Sequence, residues 1–199
     1  MPPKHLTLAI LLLAFTAHSG DSTITYANKT YKTAKIGTQT WLVENLNYEA
    51  EGSKCYNNNH DNCAKYGRLY NWETAMKACP KGWHLPSNDE WDKLFRFVDG
   101  DKGTESPYVS ETAGKYLKAK SGWNKDGNGT DKYGFSALPG GFGYSDGSFY
   151  DVGYYGYWWS ASEYSSNNVY IRYMNYNYDY AYWGNGGKDF LFSVRCLQD

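Results

Sequence analysis

The chain has 199 residues, of which 41% are hydrophobic, enough for one domain with a substantial core and too few for two. Its formal net charge is −1 and no basic stripe is available to neutralise phosphates, which argues against nucleic acid as a partner. Aromatic residues make up 19% of the chain and there are 21 glycines, a composition that favours β structure and irregular loops over a helical bundle.

The first 19 residues have the features of a secretory signal peptide. Lys4 gives a positive start, residues 6–17 form an apolar stretch, and small residues precede a cleavage point after Ser19. The stretch is too short for a transmembrane helix, and nothing downstream approaches about 18 uninterrupted apolar residues. We therefore expect export, one mature domain over residues 20–199 and no transmembrane segment, with the protein secreted or held at the cell surface.

The first predicted elements are a hairpin and a helix. In TAKIGTQTWLVENL (33–46), an alternating run ends at Ile36, residues 37–39 form the turn, and an apolar strand follows. A helix is predicted over residues 72–78, because apolar residues recur there at helical spacing behind Asn71, a candidate N-cap.

A second helix begins at Ser87. Ser87 and Glu90 match a capping box, in which each side chain can bond the other's backbone amide. An apolar stripe follows at positions i, i+3, i+4 and i+7, formed by Trp91, Leu94, Phe95 and Val98. Gly100 is expected to end the helix.

Four cysteines follow the signal segment, and an even number in an exported chain favours disulfides over free thiols. Three pairings are possible. We favour Cys55–Cys63, which would close the loop CYNNNHDNC, and Cys79–Cys196, which would tie the middle of the chain to its end. The second closes more than 100 residues, so the chain-entropy model assigns it roughly 4 to 5 kcal/mol of stabilisation.

The most turn-dense segment is KDGNGTDKYG (125–134). Asp126, Asn128 and Asp131 place oxygen ligands at near-alternate positions and loosely resemble a calcium loop, but the EF-hand pattern lacks its closing Glu. We favour turn formation, with calcium as the alternative. No other metal or cofactor is expected, since the sequence has no C-x-x-C pattern for zinc.

Tyrosines dominate the segment that follows. Asp146-Gly147 between aromatic residues predicts another hairpin, and an apolar strand is expected over residues 190–196. Between these, twelve of the chain's 21 tyrosines lie from Tyr144 to Tyr182. Side chains of a strand alternate between its faces, so we expect Val169 and Ile171 to face the core and their neighbours Tyr170 and Arg172 to face solvent.

The run NYNYDYAYW (175–183) allows two structures. Its even-numbered tyrosines could form one buried strand face, although each buried hydroxyl would then need a partner. Alternatively, strands near 169–174 and 179–183 could form a hairpin with an exposed tip near 176–178. All these elements together predict an α+β fold.

Four stretches resemble the Fibrobacter succinogenes major paralogous domain, over about Thr30 to the end. They are GRLYNWETAMKACPKGWHLPSNDEWDKL (67–94), DKYGFSALPGGFGYSDGSF (131–149), YWWSAS (157–162) and FSVRC (192–196). That family resembles the formylglycine-generating-enzyme branch of the C-type-lectin-like folds. The resemblance implies an α+β fold with two helices, small antiparallel sheets and extensive loops, and it implies the fold better than the activity.

Residues 154–185 also resemble protein segments that bacterial retroelements diversify. Adenine-containing codons in such segments become mainly Tyr, Asp, Ser or Asn codons. Twelve positions fit this vocabulary: Asn167, Asn168, Tyr170, Tyr173, Asn175, Tyr176, Asn177, Tyr178, Asp179, Tyr180, Tyr182 and Asn185. The resemblance implies the hypothesis that this segment is variable and that FSVRC belongs to a fixed frame.

Catalysis is not expected. Formylglycine-generating oxidases use a pair of cysteines in the C-terminal half, and this chain has none between Cys79 and Cys196. Beyond the signal segment only His60 and His84 could act as bases, and His84 is better explained as a ring that structures the turn before the second helix. Glycosidase carboxylates could be drawn from Asp146, Asp151, Glu163 and Asp179, but Asp146 is better explained by its hairpin turn.

The aromatic segment instead predicts a binding surface. Tyrosine offers a rigid contact area with a hydroxyl, and Asn, Ser and Gly add adaptable polar contacts. We expect an extracellular protein as ligand, with a glycan stacked on the same rings as the alternative and purely structural rings as a third. The candidate binding residues are Tyr154, Tyr155, Tyr157, Trp158, Tyr170, Arg172, Asn175, Tyr176, Tyr178, Asp179, Tyr180, Tyr182 and Trp183.

Overall fold

The computed structural model describes residues 22–102 and 105–199, and the predicted signal peptide at residues 1–19 lies outside them. The described residues form four α-helices, two five-stranded sheets and one two-stranded sheet. This mixed content, in small sheets that are mainly antiparallel, confirms the predicted α+β class.

The strands take their places from both halves of the chain. They are β1 (Thr23–Tyr26), β2 (Lys29–Ile36), β3 (Gln39–Leu42), β4 (Leu69–Tyr70), β5 (Trp83–His84), β6 (Phe142–Gly143), β7 (Phe149–Tyr150), β8 (Tyr155–Glu163), β9 (Asn168–Asn175), β10 (Tyr182–Gly187), β11 (Phe192–Ser193) and β12 (Leu197–Gln198). The first sheet has the order β1-β2-β3-β12-β5 and the second the order β10-β9-β8-β11-β4. Both sheets therefore join the chain's C-terminal strands to N-terminal ones.

The two predicted hairpins are confirmed. β2 and β3 pair antiparallel with Ile36 opposite Gln39, and β6 pairs with β7 around the Asp146-Gly147 turn. The Asp146 carboxylate accepts a 2.9 Å hydrogen bond from the Ser148 amide, which explains why this residue type stands at the turn.

Both predicted helices are confirmed, and the described residues contain two more. The helices are α1 (His60–Tyr66), α2 (Trp72–Ala78), α3 (Asn88–Val98) and α4 (Ala113–Leu117). Asn71 caps α2 by accepting from the Thr74 amide, and Ser87 and Glu90 form the full capping box of α3. The sequence pattern missed α1 and α4 because they are short, and because polar residues in α1 and a glycine in α4 obscure the helical period.

Both favoured disulfides are confirmed. Cys55–Cys63 spans eight residues and joins the segment before α1 to a residue of that helix. Cys79–Cys196 spans 117 residues and joins the end of α2 to the residue before β12. The long bridge therefore holds the two sheets' C-terminal strands against the first half of the chain.

The second sheet is buried on both faces at the middle of β8. Trp158 lies in a core cluster with residues of α3, including Trp91 and Phe95, whereas its neighbour Trp159 lies in a second cluster with Ile171 and Phe192. Alternate residues of a strand point to opposite faces, so one dipeptide supplies both cores. The sheet is thus a rigid support for whatever its edge and ends carry.

A buried polar network connects this sheet to the first half of the chain. The Asn45 side-chain oxygen accepts hydrogen bonds from the Trp158 indole and the Arg195 guanidinium, both at 2.8 Å. Arg195 also donates to the carbonyl oxygens of Leu42 and Val43. The arginine of FSVRC is therefore a structural residue whose donors are satisfied by backbone and amide oxygens.

Candidate functional site

Tyrosines from three neighbouring strands form a continuous row. Tyr157 of β8, Tyr173 of β9 and Tyr182 of β10 stand opposite one another in the strand register, with ring centroids 5.8 and 5.1 Å apart. The row continues to Tyr155, 5.5 Å from Tyr157, and through Tyr180 to Tyr178, at 5.7 and 6.3 Å. We call these six residues, Tyr155, Tyr157, Tyr173, Tyr182, Tyr180 and Tyr178, the tyrosine row.

The exposure of the tyrosine row rises toward Tyr178. Tyr180 and Tyr178 are 40% and 51% exposed, whereas the other four rings are partly buried. Burial, with the nearby Asp151 carboxylate, raises the pKa of Tyr157, whose hydroxyl donates to that carboxylate at 3.1 Å. Burial also raises the pKa of Tyr173 and of Tyr182. These phenols are therefore neutral near pH 7 and offer uncharged contacts.

The exposed end of the row is a loop that joins β9 to β10, and its backbone is held from outside. The Lys118 ammonium donates 3.1 Å hydrogen bonds to the carbonyl oxygens of Asn175 and Tyr178. The Lys115 amide donates to the carbonyl oxygen of Asp179 at 3.0 Å. Ala181 exchanges two 2.9 Å backbone bonds with Ser110. We call residues 176–181 the hairpin loop.

Two glycines let this support come close. A Cβ atom added to Gly114 of α4 would lie 2.3 Å from the Tyr180 carbonyl oxygen, and one added to Gly127 would lie 2.2 Å from the Tyr176 carbonyl oxygen. Both positions require glycine, because neither backbone oxygen can withdraw as a flexible side chain could. The hairpin loop therefore rests directly on the backbone of residues 114 and 127.

Lys118 is a buried cation. It is 2% exposed, and its ammonium lies 5.2 Å from the centroid of the Trp123 ring. Burial lowers its pKa, and the charge of Asp179 acts in the opposite direction. Backbone carbonyl oxygens and the ring face replace the water that the ammonium loses on burial.

The alternative of a buried strand face over residues 175–183 is wrong. Residues 177–180 are exposed, and the hairpin loop separates β9 from β10. The hairpin alternative is confirmed, with a loop longer than the tip expected at 176–178. A regular strand with buried even-numbered tyrosines would expose the odd-numbered positions. Asn175 and Ala181, the odd-numbered residues on either side of the exposed ones, are instead buried.

Three predicted binding residues are buried, so their predicted place on the surface is wrong. The Trp158 indole is fully buried and bonds Asn45. Arg172 is also fully buried, because α3 covers its face of β9 and supplies Asp92, 2.5 Å from the guanidinium. Asn175 is 5% exposed, and its side-chain oxygen accepts from the Asn177 amide to close the loop.

The remaining predicted residues form two smaller groups outside the tyrosine row. Tyr170 and Trp183 contact each other at 5.7 Å and project from the opposite face of the sheet, where Tyr164 joins them at 5.2 Å from Tyr170. Tyr154 contacts Tyr176 at 5.3 Å. Because neighbouring residues of a strand face opposite sides of the sheet, the single surface expected from the sequence is divided into separate groups. Asp179 is exposed on the hairpin loop.

Sequence reasoning missed Lys118, Gly114 and Gly127. Their contacts with the hairpin loop join residues about 50 to 65 positions apart, and Lys118 stands in an ordinary-looking AGKYLKAK segment. Lysine and glycine are common residues, so only the folded arrangement identifies these three as supports of the hairpin loop.

Two of the three calcium candidates, Asn128 and Asp131, are engaged in turn contacts. The Asn128 side-chain oxygen accepts from the Trp123 amide at 3.0 Å, and the Asp131 carboxylate accepts from the amide and hydroxyl of Ser136 at 2.7 and 2.6 Å. These bonds support the turn interpretation. Among the residues that the structure describes, no group of three His, Cys, Asp or Glu side chains is arranged to hold a metal ion.

His84 lies between two carboxylates. Its ring nitrogens are 2.9 Å from Glu90 and 2.7 Å from Asp199. Burial alone would lower the pKa of His84, but the hydrogen bonds and charges of Asp199 and Glu90 outweigh it and raise the pKa. The ring ties the chain before α3 to that helix and to the end of the chain, as its structural interpretation predicts.

Comparison with known families adds one finding. The model of the Fibrobacter succinogenes major domain matches residues 34–198, most of the chain. The chain belongs to this family. The Fibrobacter succinogenes major domain thus includes the tyrosine row, the hairpin loop and the residues that support the loop. No curated protein and no solved structure matches the chain significantly.

None of the helices in residues 22–102 and 105–199 has the length and apolar character needed to cross a bilayer.

Proposed function

We propose that this chain is an exported, non-catalytic domain of C-type-lectin-like fold that binds an extracellular protein through the tyrosine row and the hairpin loop. In this proposal the N-terminal segment is a cleaved signal peptide, and the mature protein is secreted or held at the cell surface. The two disulfides agree with an oxidising compartment.

One observation carries the proposal: the backbone of the hairpin loop is held by groups outside it, while four of its six side chains are exposed. Lys118, Lys115 and Ser110 bond the backbone from Asn175 to Ala181. The side chains of residues 177–180 are exposed. A binding surface benefits from this arrangement, because a preorganised backbone loses less conformational entropy when a partner binds.

The burial pattern supports the hypothesis that a retroelement diversifies this segment. Of the twelve positions that fit the retroelement vocabulary, all of them described, Asn175 alone is buried. Among the residues interspersed with them, Val169, Ile171, Arg172, Met174 and Ala181 are buried. Variation at the other eleven positions would change the surface and leave the core intact.

The ring geometry favours a protein over a glycan. Three contacts in the tyrosine row are stacked, with interplanar angles of 9°, 16° and 23°. Rings stacked on one another have partly covered faces, whereas a sugar needs an open face. Phenol edges and hydroxyls suit the mixed polar and apolar contacts of a protein interface. Glycan binding is the alternative, and a purely packing role for the rings is a third.

The absence of catalysis is also proposed. All four cysteines form disulfides, so none offers a thiolate for oxidase chemistry. His84 is held by two carboxylates, and its ring nitrogens contact Glu90 and Asp199 instead of a nucleophile.

A direct test is binding of the purified mature chain to an array of extracellular proteins and, in parallel, to a glycan array. We expect saturable binding to a protein that falls at least tenfold in Tyr178→Ala and Tyr180→Ala. Tyr150→Ala is the matched control, because Tyr150 is 49% exposed and lies outside the hairpin loop. Binding to glycans alone, lost in the same variants, would establish the alternative, and equal binding by all variants would contradict both.

The retroelement hypothesis has its own test in the neighbouring DNA. We expect a reverse-transcriptase gene and an adenine-rich near-copy of the sequence that encodes residues 154–185. If the complete surrounding DNA lacks both, diversification is excluded while the binding proposal stands.

A further inference from the structure

The outer edge of β10 is a second feature of the C-terminal hairpin. β10 is the terminal strand of its sheet and pairs only with β9. The Lys188 amide donates to the Asn167 carbonyl oxygen. In an antiparallel pair every second residue bonds the partner strand, and the residues between them direct their backbone groups outward. Gly184 and Gly186 therefore bond β9, whereas Trp183 and Asn185 direct their N–H and C=O groups away from the sheet.

The chain itself places a segment along this edge. Ala181 has the same outward orientation as Trp183 and Asn185, and its N–H and C=O bond Ser110 in an antiparallel bridge. Within residues 22–102 and 105–199, no strand pairs with this side of β10, and no backbone group outside β9 bonds Trp183 or Asn185. Residues 182–187, YWGNGG, contain neither Pro, Lys nor any charged residue, the usual protection of an edge strand.

We propose that this edge binds an extended segment of the protein ligand as an added β-strand, an inference that rests on the proposed protein-binding function. Successive side chains of an added strand would lie on opposite faces of the sheet. One set would lie beside Tyr182 of the tyrosine row. The other would lie beside Trp183 and its neighbours Tyr164 and Tyr170. Side chains on both faces of a bound segment would thus contact aromatic rings, so bound segments should be enriched in apolar residues.

A second copy of the chain fits this edge less well than a peptide does. Antiparallel pairing of two β10 strands centred on Asn185 would place residue 189 of the second copy opposite Ala181. Ser110 already bonds Ala181 at that place. A separate peptide that ends beside Trp183 avoids this collision. It would extend, along the same edge of β10, the backbone pairing that Ser110 makes with Ala181.

The test uses a phage-displayed library of random dodecapeptides, selected on the wild-type chain, and synthetic copies of the enriched peptides. Asn185→Pro removes an outward N–H without removing a backbone bond to β9, and proline is tolerated at such edge positions. It also loses the 3.1 Å bond that the Asn185 side chain accepts from Asn168, and the control Asn185→Thr loses that bond as well. We expect affinity to fall about tenfold or more in Asn185→Pro, since one lost hydrogen bond accounts for about tenfold. Asn185→Thr keeps the N–H and should change affinity less than twofold.

Amide hydrogen exchange on the wild-type chain gives an independent readout, in case Asn185→Pro disturbs the fold. The amides of Trp183 and Asn185 should exchange rapidly in the free protein and at least tenfold more slowly with peptide bound. Those of Gly184 and Gly186 should be protected in both states. Contacts made by side chains alone would leave the Trp183 and Asn185 amides unprotected, which would overturn the proposal.

The variants separate this inference from the proposed function. Peptides that Asn185→Pro binds as tightly as wild type, but that Tyr178→Ala loses, would overturn the edge proposal and leave the binding surface standing. Peptides lost only from Asn185→Pro would support the edge and count against the tyrosine row. Failure to enrich any peptide would overturn the edge proposal, as would a wild-type dimer that Asn185→Pro dissociates.

Discussion

The ammonium of Lys118 lies beneath the hairpin loop and donates a 3.1 Å hydrogen bond to the carbonyl oxygen of Tyr178. The most exposed ring of the tyrosine row is thus carried by a peptide group that a buried cation holds in place. Lys118 therefore determines where the backbone of the loop lies, whereas the Tyr178 side chain determines what the loop can contact.

Replacing Lys118 by Met should loosen the loop. The variant keeps the apolar stem but leaves the Asn175 and Tyr178 carbonyl oxygens without their donor, so the free energy of unfolding should fall by about 1–3 kcal/mol. Urea denaturation measures this, and hydrogen exchange should speed up for amides of the hairpin loop. Lys120→Met, at an exposed lysine two residues away, is the control and should change stability by less than about 0.5 kcal/mol. Equal effects in the two variants would contradict the supporting role.

Replacing Gly114 by Ala sets two effects against each other. Inside a helix the substitution should stabilise by up to about 1 kcal/mol. The added Cβ, however, would lie 2.3 Å from the Tyr180 carbonyl oxygen. We expect the clash to prevail, with a net loss of about 1–3 kcal/mol in thermal or urea unfolding. A stabilised variant would show that the loop does not rest on α4.

The exposed loop side chains should be replaceable. The combined change of Asn177, Tyr178, Asp179 and Tyr180 to Ser should cost less than about 2 kcal/mol in total, since exposed sites contribute about 0.5 kcal/mol or less each. Asn175→Ala alone should cost about 1–2 kcal/mol, because it removes the acceptor of the Asn177 amide in a buried position. Urea denaturation of both variants checks the contrast. Unfolding of the quadruple variant would mean that these side chains build the loop.

The His84 contacts predict a pH dependence of stability. The pKa of His84 is raised in the folded state, so its stabilisation is present below the unfolded value of about 6.5 and is lost as pH rises through the folded pKa. The pKa of Glu90 is lowered: burial alone would raise it, but the Ser87 and His84 contacts outweigh burial. Its stabilisation is present above about pH 4.5 and is lost as pH falls through the folded pKa.

The measurement compares wild type with His84→Gln at pH 5.5 and pH 8.5. The wild-type advantage in the free energy of unfolding should be about 0.5 kcal/mol larger at pH 5.5, a small value because the groups are partly exposed. An advantage that is larger at pH 8.5 would contradict the assigned direction.

Local patterns predicted the elements whose stabilising contacts are themselves local. The capping box at Ser87 and the cap at Asn71 bond amides three residues away, so α2 and α3 could be located from the sequence. The same holds for the Asp146-Gly147 hairpin. Four cysteines allow only three pairings, so the sequence could favour both disulfides. The four quoted motifs carry the family resemblance.

Longer-range contacts decided the site. Arg172 was placed outward by strand alternation, yet α3 covers that face and pairs it with Asp92, 80 residues earlier. Trp158 was predicted to bind ligand but fills a core for the same reason. The sequence by itself determined that an aromatic, Asn-rich segment precedes the last strands of this domain. Only the tertiary structure decided which rings reach solvent and which residues hold the loop, because burial on a strand depends on what packs against each face.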